Sequence, residues 1–180
     1  MTTVLIAILI PVGVLCLLNL ALSLAVIRRL REHSDKLAAL GGIFVGRDSG
    51  LAPGAAVPGL AAVTHDGAEL PVDALAAGDR LLAFVSASCA ACREHLPGFV
   101  AAAAAHGPDG TVVVVTGDPD RGADLVRMAA GAARVVVEAD DGPWTSGYHI
   151  TTFPTFFRLR DGVVAAKGLT VADVAQPLPV

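Results

Sequence analysis

A run of five apolar residues that leads directly into a pair of cysteines constrains the fold of this chain more than any other feature. The run is Leu-Leu-Ala-Phe-Val at positions 81–85. An uninterrupted apolar run of this length is typical of a strand buried on both faces of a sheet. Small residues follow, then Cys89-Ala90-Ala91-Cys92, and then an alanine-rich apolar segment. The pattern predicts a buried strand, a tight turn and a helix that begins at the cysteine pair.

The predicted position of Cys89 favours thiol chemistry. At a helix N-terminus, unpaired N–H groups and the helix dipole favour an anion, which lowers the pKa of a cysteine and increases its nucleophilic thiolate form. Cys92 lies one helical turn further on the same face, where its sulfur can form a disulfide with Cys89 or resolve a mixed disulfide. Arg93 adds positive charge nearby. A Cys-x-x-Cys pair after a strand is typical of redox proteins with an α/β pattern.

A zinc site, or a pair of packed core thiols, is the alternative interpretation of these cysteines. A structural zinc site needs four ligands, usually supplied as two closely spaced pairs. The third cysteine, Cys16, lies in an apolar N-terminal run, and His106 has no histidine three to five residues further on. The sequence therefore favours redox chemistry, and it predicts no metal and no cofactor.

The N-terminal run predicts a membrane anchor. Residues 4–27 contain no charged side chain. As a helix they would extend about 36 Å at about 1.5 Å per residue, which is enough to cross a hydrocarbon core of ~30 Å. A cleaved signal peptide is the alternative, but no basic residue precedes the run, and the run is long for such a peptide. We therefore predict an uncleaved single-pass anchor over residues 4–27.

The residues after the predicted span bear on orientation and domain organisation. Arg28, Arg29 and Arg31 follow the span, which by the positive-inside rule places the C-terminal part in the cytoplasm.

The anchor and a stalk helix together occupy residues 1–40. A dimer seam is the alternative role of the stalk. Residues 41–56 are rich in Gly, Pro and Ala and predict a linker. Residues 57–180 are the predicted globular domain.

Strand and helix patterns alternate through this domain, which predicts an α/β sheet. Residues 60–63 and a following His-Asp-Gly turn predict a hairpin ahead of the central strand. Valine-rich runs at 111–116 and 134–138 predict two further strands, and Asp161-Gly162 joins two more. The net charge of −4 gives no basic footprint for nucleic acid, so no nucleic-acid partner is predicted.

Beyond the cysteines, the chain resembles the thioredoxin superfamily. Pro97 falls five residues after Cys92, where thioredoxin-like proteins kink the active-site helix. Thr152-Phe153-Pro154-Thr155, followed by a strand pattern and Asp161-Gly162, is similar to the cis-proline loop, strand and hairpin of that family. The resemblance implies a thioredoxin-like α/β fold with an N-terminal hairpin extension, preceded by one transmembrane helix.

Two stretches narrow the resemblance to the TlpA-type thiol–disulfide oxidoreductases. These stretches are Phe84-Val85-Ser86 before the cysteines and Ala166-Lys167-Gly168-Leu169 near the C-terminus. Both look like the corresponding parts of membrane-anchored proteins related to the methylamine-utilisation maturation factor. The resemblance covers roughly residues 53–175. One departure is that no tryptophan precedes Cys89, where thioredoxin itself carries one.

The resemblance implies a membrane-anchored enzyme that exchanges disulfides. Cys89 would attack a substrate disulfide, and Cys92 would resolve the mixed disulfide. The loop of Thr152, Phe153 and Pro154 would lie against Cys89 and dock the extended chain of the substrate. The implied partners are protein thiols and disulfides, a redox partner protein and the membrane. The resemblance places the catalytic domain outside the cytoplasm, opposite to the charge bias after the span.

Other functions fit parts of the pattern. Ser86 lies where peroxiredoxins carry Thr or Ser before their reactive cysteine, which makes a thiol peroxidase the alternative enzyme, although Leu82 replaces their proline. A copper-binding or copper-delivery module that uses the two thiols and His149 is a non-enzymatic alternative, since soft thiolates and imidazole suit that metal. The third alternative is a membrane-tethered docking module with an inert cysteine pair.

Overall fold

A computed structural model describes residues 49–175 of the chain. The predicted transmembrane span, the stalk and the first half of the predicted linker lie outside these residues, so the anchor stays a prediction. Within residues 49–175, none of the helices has the length and apolar character needed to cross a membrane.

Two short strands form the predicted N-terminal hairpin. β1 (Ala62–Val63) pairs antiparallel with β2 (Glu69–Leu70). The hydroxyl of Thr64 donates to the backbone oxygen of Ala68 at 2.9 Å, which holds the turn closed. The N–H of His65 donates to the backbone oxygen of Val135 at 2.8 Å, and this bond attaches the hairpin to the main sheet.

The main sheet is mixed and has five strands. In chain order they are β3 (Asp79–Ser86), β4 (Thr111–Thr116), β5 (Arg134–Glu138), β6 (Thr155–Arg160) and β7 (Val163–Gly168). Their spatial order is β5-β4-β3-β6-β7. β3, β4 and β5 run parallel to one another, whereas β6 and β7 are antiparallel to their neighbours. The strand that leads to the cysteines is therefore the central one.

Within residues 49–175, three α-helices lie between strands of this sheet and a fourth follows β7. They are α1 (Ala90–Ala103), α2 (Pro119–Ala129), α3 (Pro143–Gly147) and α4 (Ala172–Ala175). The α1 helix contains Pro97 and ends at Ala103. A tight turn follows, in which the N–H groups of His106 and Gly107 both donate to the backbone oxygen of Ala103. Gly107 has φ 69° and ψ 170°, a positive-φ conformation that glycine adopts without a Cβ clash.

Both faces of the sheet are covered, which explains the uninterrupted apolar run of β3. Leu81, Ala83 and Val85 pack with α1, α2 and α4 on one face. Leu82 and Phe84 pack on the opposite face with the hairpin and α3, where Trp144 is also buried. A strand that buries both faces needs apolar residues at every position rather than at alternate ones.

The β6–β7 hairpin has the tight turn that its sequence predicts. Asp161 and Gly162 have φ values of 50° and 73°. Two left-handed residues in a two-residue loop match the twist of the flanking strands, and Asp-Gly is a preferred pair for this turn. The carboxylate of Asp161 accepts a hydrogen bond from the N–H of Gly78 at 3.0 Å, so the turn is also fixed to the start of β3.

Residues 49–57, here called the N-terminal strap, lie along the free edge of β7. The N–H of Gly54 donates to the oxygen of Val164 at 2.8 Å, and the N–H of Val164 donates to the oxygen of Ala55 at 2.9 Å. The N–H of Val57 donates to the oxygen of Gly162 at 2.9 Å. The end of the segment whose composition predicts a linker therefore packs on the sheet. Composition does not indicate this, because the pairing uses backbone groups.

Candidate active site

The two cysteines lie at the carboxyl end of β3, where α1 begins. Cys89 is the N-cap of α1 and has an extended backbone, with φ −90° and ψ 113°. Its sulfur accepts a hydrogen bond from the N–H of Cys92 at 3.1 Å, and the first turn carries no acidic residue. Cys89 and Cys92 form a disulfide, and their Cα atoms are 5.3 Å apart. The predicted cysteine pair is thus brought together at a helix N-terminus that favours negative charge on sulfur.

The two sulfurs differ in their access to solvent. Cys92 is 0% exposed and belongs to the core cluster beneath α1. Cys89 is half-buried, and its neighbours Ser88, Ala90 and Ala91 are exposed. Because a partner molecule reaches a surface sulfur before a buried one, the two thiols differ in their accessibility to other molecules.

Arg93 holds the turn that carries Cys89. Its Nη1 donates to the backbone oxygen of Cys89 at 3.3 Å, and its Nη2 donates to the backbone oxygens of Ala87 at 3.1 Å and Arg121 at 3.0 Å. Its Nε donates to a carboxylate oxygen of Asp124 at 2.6 Å. The hydrogen bond from Arg93 lowers the pKa of Asp124. The positive charge that the sequence places near Cys89 is therefore paired with Asp124, and the guanidinium also fixes the turn.

The loop predicted to dock substrate comes to the same edge of the sheet. β6 runs antiparallel to β3, and Thr155 pairs with Phe84. The residues just before Thr155 therefore lie beside the last residues of β3, from which the cysteine turn emerges. The Phe153–Pro154 peptide bond is cis, and the side chains of Phe153 and Cys89 pack against the same core cluster.

The backbone of this loop is hydrogen-bonded on both sides of Phe153 but not at Phe153 itself. The N–H of Thr152 donates to the hydroxyl of Ser49 at 3.0 Å, and the oxygen of Thr152 accepts the hydroxyl of Thr155 at 2.6 Å. Within residues 49–175, the N–H and C=O of Phe153 have no hydrogen-bond partner. One half-buried residue therefore offers a free donor and a free acceptor.

Comparison with known proteins gives matches among solved structures only. No protein-family model and no curated protein matches the sequence. The thioredoxin domain of a thiol–disulfide oxidoreductase from Bacteroides vulgatus matches at a TM-score of 0.59 and 21% identity, over 69% of this chain and 94% of that chain. A secreted disulfide oxidoreductase from Mycobacterium tuberculosis matches at a TM-score of 0.53 and 21% identity, over 64% and 87%.

A third structure, a thiol:disulfide interchange protein of the thioredoxin family from Chlorobium tepidum, matches at a TM-score of 0.55 and 18% identity, over 68% of this chain and 92% of that chain. This domain has a thioredoxin-like fold. The predicted fold class is confirmed for the α/β domain and its hairpin extension, whereas the transmembrane helix lies outside the described residues.

The two residues that bear on the peroxidase alternative, Ser86 and Leu82, both lie in β3. Ser86 is buried at the end of β3, and its hydroxyl lies 3.1 Å from that of Ser88 and accepts the N–H of Ser88 at 3.3 Å. Leu82, at the position of the peroxiredoxin proline, is 0% exposed in the sheet. Both residues build the strand and the turn that lead to Cys89.

In the described part of the chain, no third metal-binding side chain lies with Cys89 and Cys92, as the copper alternative requires. His149 is exposed and has a φ of 56°. Residues 49–175 contain no group of three or more His, Cys, Asp or Glu side chains that could hold a metal ion.

Two residues that hydrogen-bond to the site were not singled out by the sequence. Ser49 lies in a stretch whose composition resembles a linker, and no sequence pattern marks it. Asp124 lies in α2, separated from Arg93 by a strand and a turn, so only the packing of α1 on α2 brings them together. The polar positions of an amphipathic α2 are compatible with this pairing but do not specify it.

Proposed function

We propose that this protein is a thiol–disulfide oxidoreductase that exchanges disulfides with protein substrates through Cys89 and Cys92. The observation that carries the proposal is the asymmetry of the pair. One sulfur is accessible and receives a helix N-terminal N–H, and the other is 0% exposed within disulfide reach of it. A thiolate is the nucleophile in disulfide exchange, and a second nearby thiol is needed to release the product.

The exchange proceeds in two balanced steps when the pair is reduced. The Cys89 thiolate attacks one sulfur of a substrate disulfide, the substrate S–S bond breaks, and the departing sulfur leaves as a thiolate that takes up a proton. Cys92 then loses its proton and attacks the Cys89 sulfur of the mixed disulfide, which releases the second substrate thiol. Two electrons pass from the dithiol to the substrate, and the pair ends as the Cys89–Cys92 disulfide. The reverse sequence oxidises a substrate dithiol.

The loop before β6 supports a protein substrate in this proposal. An extended peptide can pair with a free backbone donor and acceptor, and Phe153 presents one of each beside the end of β3. Pro154 has no N–H, so it does not compete for the acceptor groups of the peptide. Thr152 and Pro154 would flank the docked chain.

We also propose that residues 4–27 anchor the protein in the membrane as a single span, with the catalytic domain outside the cytoplasm. The absence of charge over this run supports the anchor. The resemblance to membrane-anchored TlpA-type proteins supports the orientation, against the three arginines after the span. After reduction of the Cys89–Cys92 disulfide, labelling of Cys89 in intact cells with a membrane-impermeant maleimide tests the orientation, because a cytoplasmic domain reacts only after the cells are opened. Retention of the full-length chain in carbonate-washed membranes tests the anchor.

The activity is tested with the full-length chain in mild detergent. We expect it to reduce insulin disulfides with dithiothreitol as reductant, and we expect Cys89→Ser to abolish the acceleration. A parallel assay with hydrogen peroxide in place of insulin distinguishes disulfide exchange from thiol peroxidase activity. Equal insulin reduction by wild type and Cys89→Ser, or faster turnover with peroxide than with insulin, would contradict the proposal.

A further inference from the structure

Ser49 connects the N-terminal strap to the loop that the proposed function assigns to substrate docking. Its side chain is buried, at 0% exposure for the residue. Its hydroxyl oxygen accepts the N–H groups of Thr151 at 3.1 Å and Thr152 at 3.0 Å, and it lies 3.3 Å from the hydroxyl of Thr155. One serine therefore satisfies two consecutive backbone donors of the loop.

We propose that Ser49 is a positioning residue for substrate docking, so that the strap forms part of the substrate site of the domain. This inference rests on the proposed function. Because the N–H groups of Thr151 and Thr152 are both used by Ser49, only Phe153 keeps a free donor and acceptor in this stretch. Ser49 thereby decides which backbone groups of the loop remain free for a substrate.

The strap is itself held, which gives the hydroxyl of Ser49 a fixed position. Nζ of Lys167, on β7, donates to the backbone oxygens of Ser49 at 2.9 Å and Gly50 at 3.1 Å. The N–H of Gly50 donates to the oxygen of His149 at 2.9 Å, on the loop side. Lys167 thus fixes the strap to the sheet, and the strap in turn fixes the loop. A charged ammonium forms stronger hydrogen bonds with carbonyl oxygens than a neutral donor does, so Lys167 holds the strap firmly on β7.

Removal of the Ser49 hydroxyl leaves two loop N–H groups without their acceptor. A buried unsatisfied donor is costly, so the loop is expected to move until water or another acceptor reaches these groups. The site then loses its fixed docking geometry, while the cysteine pair at the start of α1 keeps its own contacts. The expected effect is selective for substrates that dock along the loop.

The first test measures the loop directly, by hydrogen–deuterium exchange of the full-length chain. We expect Ser49→Ala to raise the exchange rate of a peptide covering residues 150–153 at least about tenfold, because two amide protons lose their acceptor. Ser146→Ala is the matched control. Its hydroxyl makes one exposed bond to the oxygen of Asp141 at 3.1 Å, and its removal should leave the loop unchanged. Unchanged exchange in Ser49→Ala would overturn the inference.

The second test separates positioning from general stability through the kinetics. With insulin, we expect Ser49→Ala to raise KM about tenfold with kcat within about twofold, since docking is weakened and the chemistry is not. The rate with a small aromatic disulfide and the redox potential of the cysteine pair should stay at wild-type values. Equal losses with both substrates, or a shifted potential, would overturn the inference.

Lys167→Met provides a second variant that keeps the serine hydroxyl. We expect Lys167→Met to raise the KM for insulin selectively, as Ser49→Ala does, but by a smaller factor. The reason is that the strap loses its attachment to β7 but not its contact with the loop. If Ser49→Ala does not fold, equal exchange rates in Lys167→Met and wild type overturn the inference. If wild type itself fails to reduce insulin, the proposed function fails, whereas faster exchange of the loop in Ser49→Ala would still establish Ser49 as the residue that fixes it.

Discussion

Arg93 on α1 binds Asp124 on α2 through two donors, with Nε at 2.6 Å and Nη2 at 3.2 Å from the carboxylate oxygens. The same guanidinium donates to the backbone oxygens of Ala87 and Cys89. Five N–H donors in one plane make arginine suited to bridging a carboxylate and several carbonyls, a task that lysine cannot perform. The turn that presents Cys89 is therefore fixed from outside the core by a single side chain.

Replacement of Arg93 should loosen this turn. We expect Arg93→Met to lower the free energy of unfolding by about 1–2 kcal/mol, mostly through the lost bonds to the carbonyls of Ala87, Cys89 and Arg121, since a half-exposed ion pair contributes at most about 1 kcal/mol. Protein disulfide exchange should slow as well. Asp124→Asn is the control, because it weakens the ion pair and leaves the carbonyl bonds in place. Denaturant unfolding of the oxidised protein checks this, and a larger loss in Asp124→Asn than in Arg93→Met would contradict it.

The difference in burial between the two cysteines predicts a difference in reactivity. In the reduced protein near neutral pH, Cys89 should react with iodoacetamide at least about tenfold faster than Cys92, since Cys89 is accessible and accepts a helix N-terminal N–H. Cys92 is 0% exposed. Peptide mass spectrometry of a time course gives both rates. Comparable rates at the two positions would show that the asymmetry does not govern their chemistry.

Asp79 should give the domain an acid-sensitive contribution to stability. Its carboxylate accepts Nε of Arg158 at 2.9 Å, and Nε2 of His106 lies 3.6 Å away. The hydrogen bond from Arg158, opposed by partial burial and aided by the charges of Arg158 and His106, lowers the pKa of Asp79 from its usual 3.8. A group whose pKa is lower in the folded state stabilises the protein above its unfolded pKa and loses that contribution as pH falls through the folded value.

The comparison of wild type with Asp79→Asn isolates this effect. The stability advantage of wild type should be full at about pH 6 and should shrink as the pH falls below about 4, where the unfolded chain takes up a proton that the folded chain resists. Urea unfolding at the two pH values measures it. An advantage that is constant over this range, or that grows on acidification, would contradict the assigned ion pair.

Truncation distinguishes the strap from a linker. A chain that begins at residue 41 keeps the strap, whereas one that begins at residue 58 loses Ser49 and the three backbone bonds to the β6–β7 hairpin. We expect the shorter chain to have the lower Tm and the weaker exchange with protein disulfides, because the β7 edge and the loop both lose partners. Equal Tm and equal activity in the two chains would show that residues 41–57 act only as a linker.

The contacts that residue patterns alone predict are local, whereas the approach of the Phe153 loop to Cys89 is implied only by the family resemblance, and other distant contacts are missed. The apolar run of β3, the cysteine pair at the start of α1 and the Asp161-Gly162 turn each depend on residues within a few positions of one another, so periodicity and turn chemistry predict them. Ser49 and Thr152 are 103 positions apart, and their bond joins a side chain to a backbone N–H. No residue preference marks such a bond, and only the packed sheet brings the two together.

The central claim is that Cys89 attacks and Cys92 resolves, and trapping of the mixed disulfide tests it most directly. Cys92→Ser in the full-length chain should accumulate covalent adducts with client proteins, seen on non-reducing gels and released by dithiothreitol, because the step that frees Cys89 is lost. The Cys89→Ser variant and the double variant should show none. Adducts that form on Cys92 in Cys89→Ser, or their absence from Cys92→Ser, would contradict the assigned roles.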